Sequence, residues 1–209
     1  MEFNSKCSDC PRLVASFDNL KVTFNKYWNK PVPPFGNTNS SLVIVGLAPG
    51  LHGANATGRP FTGDHAGILL YETLYKFGFA TLPKSISCDD KLRLKDTYLT
   101  NAVKCYPPQN KPLPSEIKEC NKYLRNEIAK ISKARVIIAL GLVAHKAVIT
   151  AFNLRQSQYV FKHNATHQLF DNIVLIDSYH CSRYNTQTKR LTKEMFESVF
   201  ANAKKRINK

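Results

Sequence analysis

The sequence predicts an α/β fold, a three-layer αβα sandwich with a central, mostly parallel four-stranded sheet. Three observations carry this. Four short apolar runs have the length and composition of strands buried on both faces. Helical stripes lie between and after these runs, and strands alternating with helices pack as a parallel sheet covered on both sides. The 209 residues suit one domain with a real hydrophobic core, so 1–209 reads as a single domain.

The first run is residues 42–45, LVIV, preceded by an irregular lead-in, KPVPPFGNTNS. A helical pattern over 66–77 ends at Gly78, a C-cap signal. The second run is 98–103. Over 115–131, apolar positions at Ile117, Cys120, Leu124, Ile128 and Ile131 form a helical stripe. The third run is 135–140, with a short helix expected after Gly141. The fourth is 173–177. The last helix carries Leu191, Met195, Phe196, Val199, Phe200 and Ala203 on one face.

Hydrophobic residues make up 43% and charged residues 22%, which excludes a disordered chain. The 30 Lys and Arg against 15 Asp and Glu give a net charge of +15. That excess fits a polyanionic partner such as nucleic acid, or equally a cationic surface with no such partner. No run approaches the ~20 apolar residues that span a bilayer, and the N-terminus has no apolar secretion core. A cytoplasmic, reducing setting without membrane association is expected. Six cysteines there point to a metal, a cluster or packing rather than disulfides.

Cys7 and Cys10 form a C-x2-C pair, which turns two thiolates toward one centre. Cys105 and Cys120 could complete tetrahedral zinc or a 4Fe–4S cluster. Alternatively they pack as small hydrophobes, and Cys120 does lie on the apolar stripe.

In open parallel sheets, ligands bind beyond the carboxyl ends of the strands. Four loops begin there, at Gly46, Lys104, Gly141 and Ser178. The first, GLAPGLHGANATGRPFTGD over 46–64, holds five glycines. It lacks the GK-[ST] of a Walker loop and the G-x-G-x-x-G of a dinucleotide fingerprint. It is a binding loop of another kind, whose backbone can approach a ligand closely. Phe61 is placed to stack on a planar ring or to anchor the loop in the core. Asp64 reads first as a helix N-cap. Asn101 near the second strand's end offers a donor and an acceptor, able to match one polar edge of a base, or it is satisfied by backbone. His180, after the fourth strand, sits where the fold puts ligands.

Together GLAPGLHGANATGRPFTGD, TNAVKCYPP and HCSRYNTQTKRLT resemble the uracil-DNA glycosylase superfamily, and within it the iron–sulfur group, family 5 (type B). The likeness runs from Cys7 to Leu191. It implies a monofunctional hydrolase that flips a deaminated base from double-stranded, and also single-stranded, DNA and leaves an abasic site. It implies 4Fe–4S ligation by Cys7, Cys10, Cys105 and Cys120, and a monomer. Backbone around Gly46, Leu47 and Ala48 would contact the base, Phe61 would stack on it, Asn101 would read its polar edge and His180 would donate toward uracil O2. Ala48 stands where better-known members carry a catalytic Asp, so leaving-group stabilisation is expected to drive the reaction, with Asn55 and Asp64 as further polar candidates. Gly50 replaces a gatekeeping Tyr, so hypoxanthine and xanthine are expected substrates besides uracil. The loop usually written HPSPRN reads HCSRYN here, and the loss of two prolines is expected to loosen it. A non-catalytic nucleic-acid-binding module is the competing function.

Overall fold

The structure is a computed structural model describing residues 2–131 and 133–208. Its strands are β1 (Phe35–Gly36), β2 (Leu42–Gly46), β3 (Thr97–Asn101), β4 (Val136–Leu140), β5 (Thr166–Phe170) and β6 (Ile173–Ser178). Its α-helices are α1 (Pro11–Thr23), α2 (Ala54–Thr57), α3 (His65–Lys76), α4 (Pro114–Lys130), α5 (Leu142–Ala151), α6 (Arg183–Gln187) and α7 (Lys193–Ile207).

The sheet has six strands, in the order β1-β3-β2-β4-β6-β5, not the expected four. The four expected strands form its parallel centre. The two additions are antiparallel edges. Neither edge strand makes an apolar run: β1 is two residues long and β5 is mostly outside the core.

The central strands look continuously apolar because alternate side chains enter opposite cores. Leu42, Ile44, Ile138 and Ile176 pack with α3 and α7. Val43, Val45, Ile137 and Leu175 pack with α4 and α5. That is the three-layer arrangement. The Thr192 side chain caps α7, accepting from Met195 N–H at 3.2 Å. Leu191 thus precedes the helix, and with Phe196 it forms the apolar clasp of a hydrophobic staple.

A third, smaller core joins Leu13 of α1 to Val103, Cys120 and Tyr123. Arg12 of α1 grips Glu116 of α4 with two bonds, at 2.8 and 2.7 Å. This docks the N-terminal segment beside the loop that follows β3.

Candidate active site

Three of the four parallel strands send loops to one cleft of ≈ 710 Å³ at the sheet's carboxyl edge. The loop after β2 supplies Leu47, Ala48 and Gly50, and further along it Phe61 and Asp64. Asn101 and Asn110 come from the β3 side, and His180, Ser182 and Arg183 from the β6 side. The fourth loop contributes from behind, where Gly141 lies close to the His180 side chain.

Gly46 underlies this cleft. A Cβ there would stand 2.4 Å from both Asn101 Oδ1 and Phe61 Cζ. The amide and the ring therefore meet over a bare Cα. Phe61 is buried with φ of 55°, a left-handed backbone that costs a non-glycine residue roughly 1–2 kcal/mol. Gly67 receives its carbonyl, since a Cβ at Gly67 would fall 1.8 Å from Phe61 O. Surrounding packing thus holds the ring in a conformation the residue would not choose.

Asn101 is buried, yet its side-chain amide makes no hydrogen bond to the described residues. The ring nitrogens of His180 likewise have no hydrogen-bond partner among them. The His180 ring stacks near Phe61, with centroids 6.4 Å apart and planes inclined by 30°. Burial lowers its pKa from 6.5 to about 4, so the imidazole is neutral at pH 7 and carries one N–H donor.

Asp64 caps α3 as expected, with Oδ1 accepting from Gly67 N–H at 2.8 Å. Its Oδ2 faces Gly50 and Gly53 at the cleft wall. Burial raises its pKa. Asn55 lies apart from the cleft lining. It is fully buried and donates to Asn29 Oδ1 at 2.9 Å, while its own Oδ1 has no partner among the described residues.

The HCSRYN segment makes several contacts of its own. Cys181 is fully buried in the α3–α7 core. Ser182 caps α6, and Asn185 Nδ2 donates to the His180 carbonyl at 2.8 Å. Thr186 reaches His65 at 3.1 Å. These bonds tie the segment to α3 and to its own first turn. Tyr184 projects from it, 70% exposed.

Cys7, Cys10, Cys105 and Cys120 line one cavity. Cys10 is the N-cap residue of α1, and Cys120 Sγ accepts from Lys104 N–H at 3.3 Å. Burial and the neighbouring thiols push Cys10 up to about 11, and they raise Cys105 as well. Ala48 packs against this cysteine core and also lines the cleft, so the two sites share a wall.

Two groups carried no sequence signal. Asp177 of β6 binds His145 Nδ1 at 2.7 Å and His167 Nε2 at 2.9 Å, while His145 Nε2 lies 3.0 Å from the Tyr159 carbonyl. These hydrogen bonds engage both nitrogens of His145 and tie α5 and β5 to β6. The second group is Lys104 with Glu127, buried beneath Asn101. Both pairings join residues far apart in the chain, which no local pattern exposes.

The fold, cleft and chain agree with one family. Residues 33–204 match the uracil DNA glycosylase superfamily, and the chain belongs to it. Its relatives narrow this further. It is 46% identical to the type-5 uracil-DNA glycosylase of Thermus thermophilus, over 95% of this chain and 93% of that protein. It is 38% identical to the type-5 enzyme of Pyrobaculum aerophilum, covering 94% and 87%. A type-4 enzyme of Pyrobaculum aerophilum matches 65% of the chain at 39% identity.

Proposed function

We propose that this chain is a monofunctional type-5 uracil-DNA glycosylase, which hydrolyses the N-glycosidic bond of uracil in DNA and leaves an abasic site. The observation that carries this reading is a pair of cleft-lining polar groups without protein partners, one buried and one half-buried. The Asn101 amide and the neutral His180 imidazole both border the cleft beside a fixed aromatic ring. Neither is held by a protein partner, so both can bond a planar polar ligand that enters the cleft.

In the proposed reaction the flipped base lies against Phe61, and Asn101 reads its donor–acceptor edge. The C1′–N1 bond breaks with its electron pair going to uracil. The His180 N–H donates to O2, where negative charge develops, and does so from a desolvated position. Water adds at C1′ and releases a proton. Asp64 Oδ2 is the carboxylate on the cleft wall and is assigned to steadying the cationic sugar or the water. Asn55 supports the loop from beneath. The +15 charge supplies phosphate binding that weakens with salt, and a G·U mismatch makes flipping easier. The open position at Gly50 extends the range to hypoxanthine and xanthine. No described helix is long and apolar enough to cross a membrane, and a monomer acting in the cytoplasm is proposed.

The four-cysteine cavity fits a 4Fe–4S cluster held by Cys7, Cys10, Cys105 and Cys120. Thiols gathered around one partly buried cavity favour a cation among them. The same four thiolates are also a zinc ligand set, and metal analysis with a visible spectrum separates the two. When bound, the cluster would cross-link the N-terminal segment to the β3 loop.

The test is base release from single lesions in matched single- and double-stranded DNA, with His180→Ala alongside. Uracil release that collapses in the variant supports the proposal. Tight DNA binding without release of any base would identify a non-catalytic module instead.

A further inference from the structure

The buried Lys104–Glu127 pair lies outside the cleft lining, yet it touches both the base-reading strand and the cysteine wall. Lys104 is 2% exposed and Glu127 5%. The Lys104 ammonium donates to Glu127 Oε2 at 2.7 Å, to the Asn101 carbonyl at 2.9 Å and to Thr100 Oγ1. Thr100 itself donates to Glu127 Oε2 at 2.7 Å. The other carboxylate oxygen, Oε1, is buried and has no partner among the described residues. Along the main chain, Lys104 N–H reaches Cys120 Sγ and its carbonyl accepts from Val32 N–H at 2.7 Å.

A pair this deep is a weak stabiliser. The desolvation of two charges offsets most of their attraction, and apolar replacements of similar volume are often neutral. One carboxylate oxygen left unbonded weakens the case for stability further. What the pair does provide is direction. β3 ends at Asn101, and the chain must turn there toward the cysteine loop. The ammonium fastens the Asn101 carbonyl to its own residue three positions on, closing that turn. With the carbonyl fixed, the Asn101 side chain is confined to the space over Gly46, where it has no hydrogen bond of its own to hold it.

We propose that Lys104 is a positioning residue for base recognition: held by Glu127 and Thr100, its ammonium fixes the main chain of Asn101 so that the free amide faces the cleft. This rests on the reading of Asn101 as the group that reads the base.

Two double variants test it on full-length protein, with Asn101→Ala as comparator. Lys104→Met with Glu127→Leu removes both charges and the donor to the Asn101 carbonyl. Lys104→Gln with Glu127→Gln removes the charges but keeps a donor. Each is checked for thermal unfolding, iron content and visible absorbance, then for kcat and KM on uracil and for release of mispaired cytosine. The Met/Leu pair is expected to keep its iron and its KM while kcat falls by about 10- to 100-fold, as for a small displacement of a reacting group. Its preference for uracil over cytosine should fall toward that of Asn101→Ala. The Gln/Gln pair should recover most of kcat. A wild-type kcat in the Met/Leu pair overturns the proposal, as do equal losses in both pairs. If the Met/Leu pair does not fold, Lys104→Leu with Glu127→Met carries the same expectation. Full activity and unchanged base preference in Asn101→Ala would instead remove the reading of Asn101 on which the proposal rests.

Discussion

Gly46→Ala is a sharp test of the site. The substitution adds one methyl group at the last residue of β2, where the backbone is not left-handed, so alanine is conformationally acceptable. The new Cβ would stand 2.4 Å from Phe61 Cζ and 2.4 Å from Asn101 Oδ1. Carbon contacts relax near 3.5 Å, so the ring and the amide must each withdraw by about 1 Å. The strand cannot yield instead: Ala102 N–H bonds the Gly46 carbonyl at 2.9 Å, and Val103 N–H bonds that of Leu47 at 3.0 Å. Overpacking of this kind costs roughly 1–3 kcal/mol of stability. Misplacing the reading amide and the stacking ring by an ångström costs on the order of 100-fold in rate. Single-turnover uracil release from a G·U duplex, with thermal unfolding of the same preparation, separates the two effects. A folded Gly46→Ala protein with undiminished rate and base preference would refute the assignment of Phe61 and Asn101 to the base.

At Gly50 a Cβ meets only Asp64 Oδ2, at 3.6 Å, and Gly50→Tyr should reduce hypoxanthine and xanthine release at least about tenfold more than uracil release in a lesion-competition assay. The folded pKa of His180 is lowered to about 4, so kcat/KM should stay flat from pH 8 through 6 and decline only toward pH 4. The unfolded ring binds its proton near pH 6.5 while the native ring does not. Stability therefore falls as pH drops from about 6.5 to 4, and His180→Asn should flatten that slope in thermal unfolding. Asp64→Asn keeps a helix cap and Asp64→Ala loses about 1 kcal/mol of it. Both should slow release if the carboxylate acts in the cleft, and an unimpaired Asp64→Asn protein would exclude that role. Cys105→Ser should abolish the visible absorbance and iron content and expose the segment around α1 to limited proteolysis; iron retained at wild-type stoichiometry would remove Cys105 from the ligand set.

The parts of the fold legible in the sequence are those with two covered faces. Strands β2 and β4 read as apolar runs because α3 and α7 cover one side and α4 and α5 the other. The edges β1 and β5 have one strand neighbour each and little core, so nothing in their composition announces them. Helix α1 escaped notice because only Leu13 and Phe17 of it are buried. Within the site, the Asp64 cap follows a local rule and was readable. The meeting of Phe61, Asn101 and Gly46 joins residues from separate strands and loops, so only the fold reveals why position 46 must lack a side chain. Asn55 was an expected polar candidate on the strength of its loop, but burial beside Asn29 sets it behind the cleft lining. Lys104 is one cation among many in a basic chain, and its burial against Glu127 and the Asn101 carbonyl appears only in the fold.

The antiparallel edge strands have a consequence for how the protein behaves in a crowd. A long, flat edge offers unpaired amides and carbonyls to any passing strand and invites aggregation. Here one rim is two residues long, and the other is irregular between Gln168 and Phe170. Little regular backbone is left to template another chain. Like charges of +15 add long-range repulsion between copies. A chain that carries a large positive charge and two blunted rims thus gives strand pairing between copies little to start from.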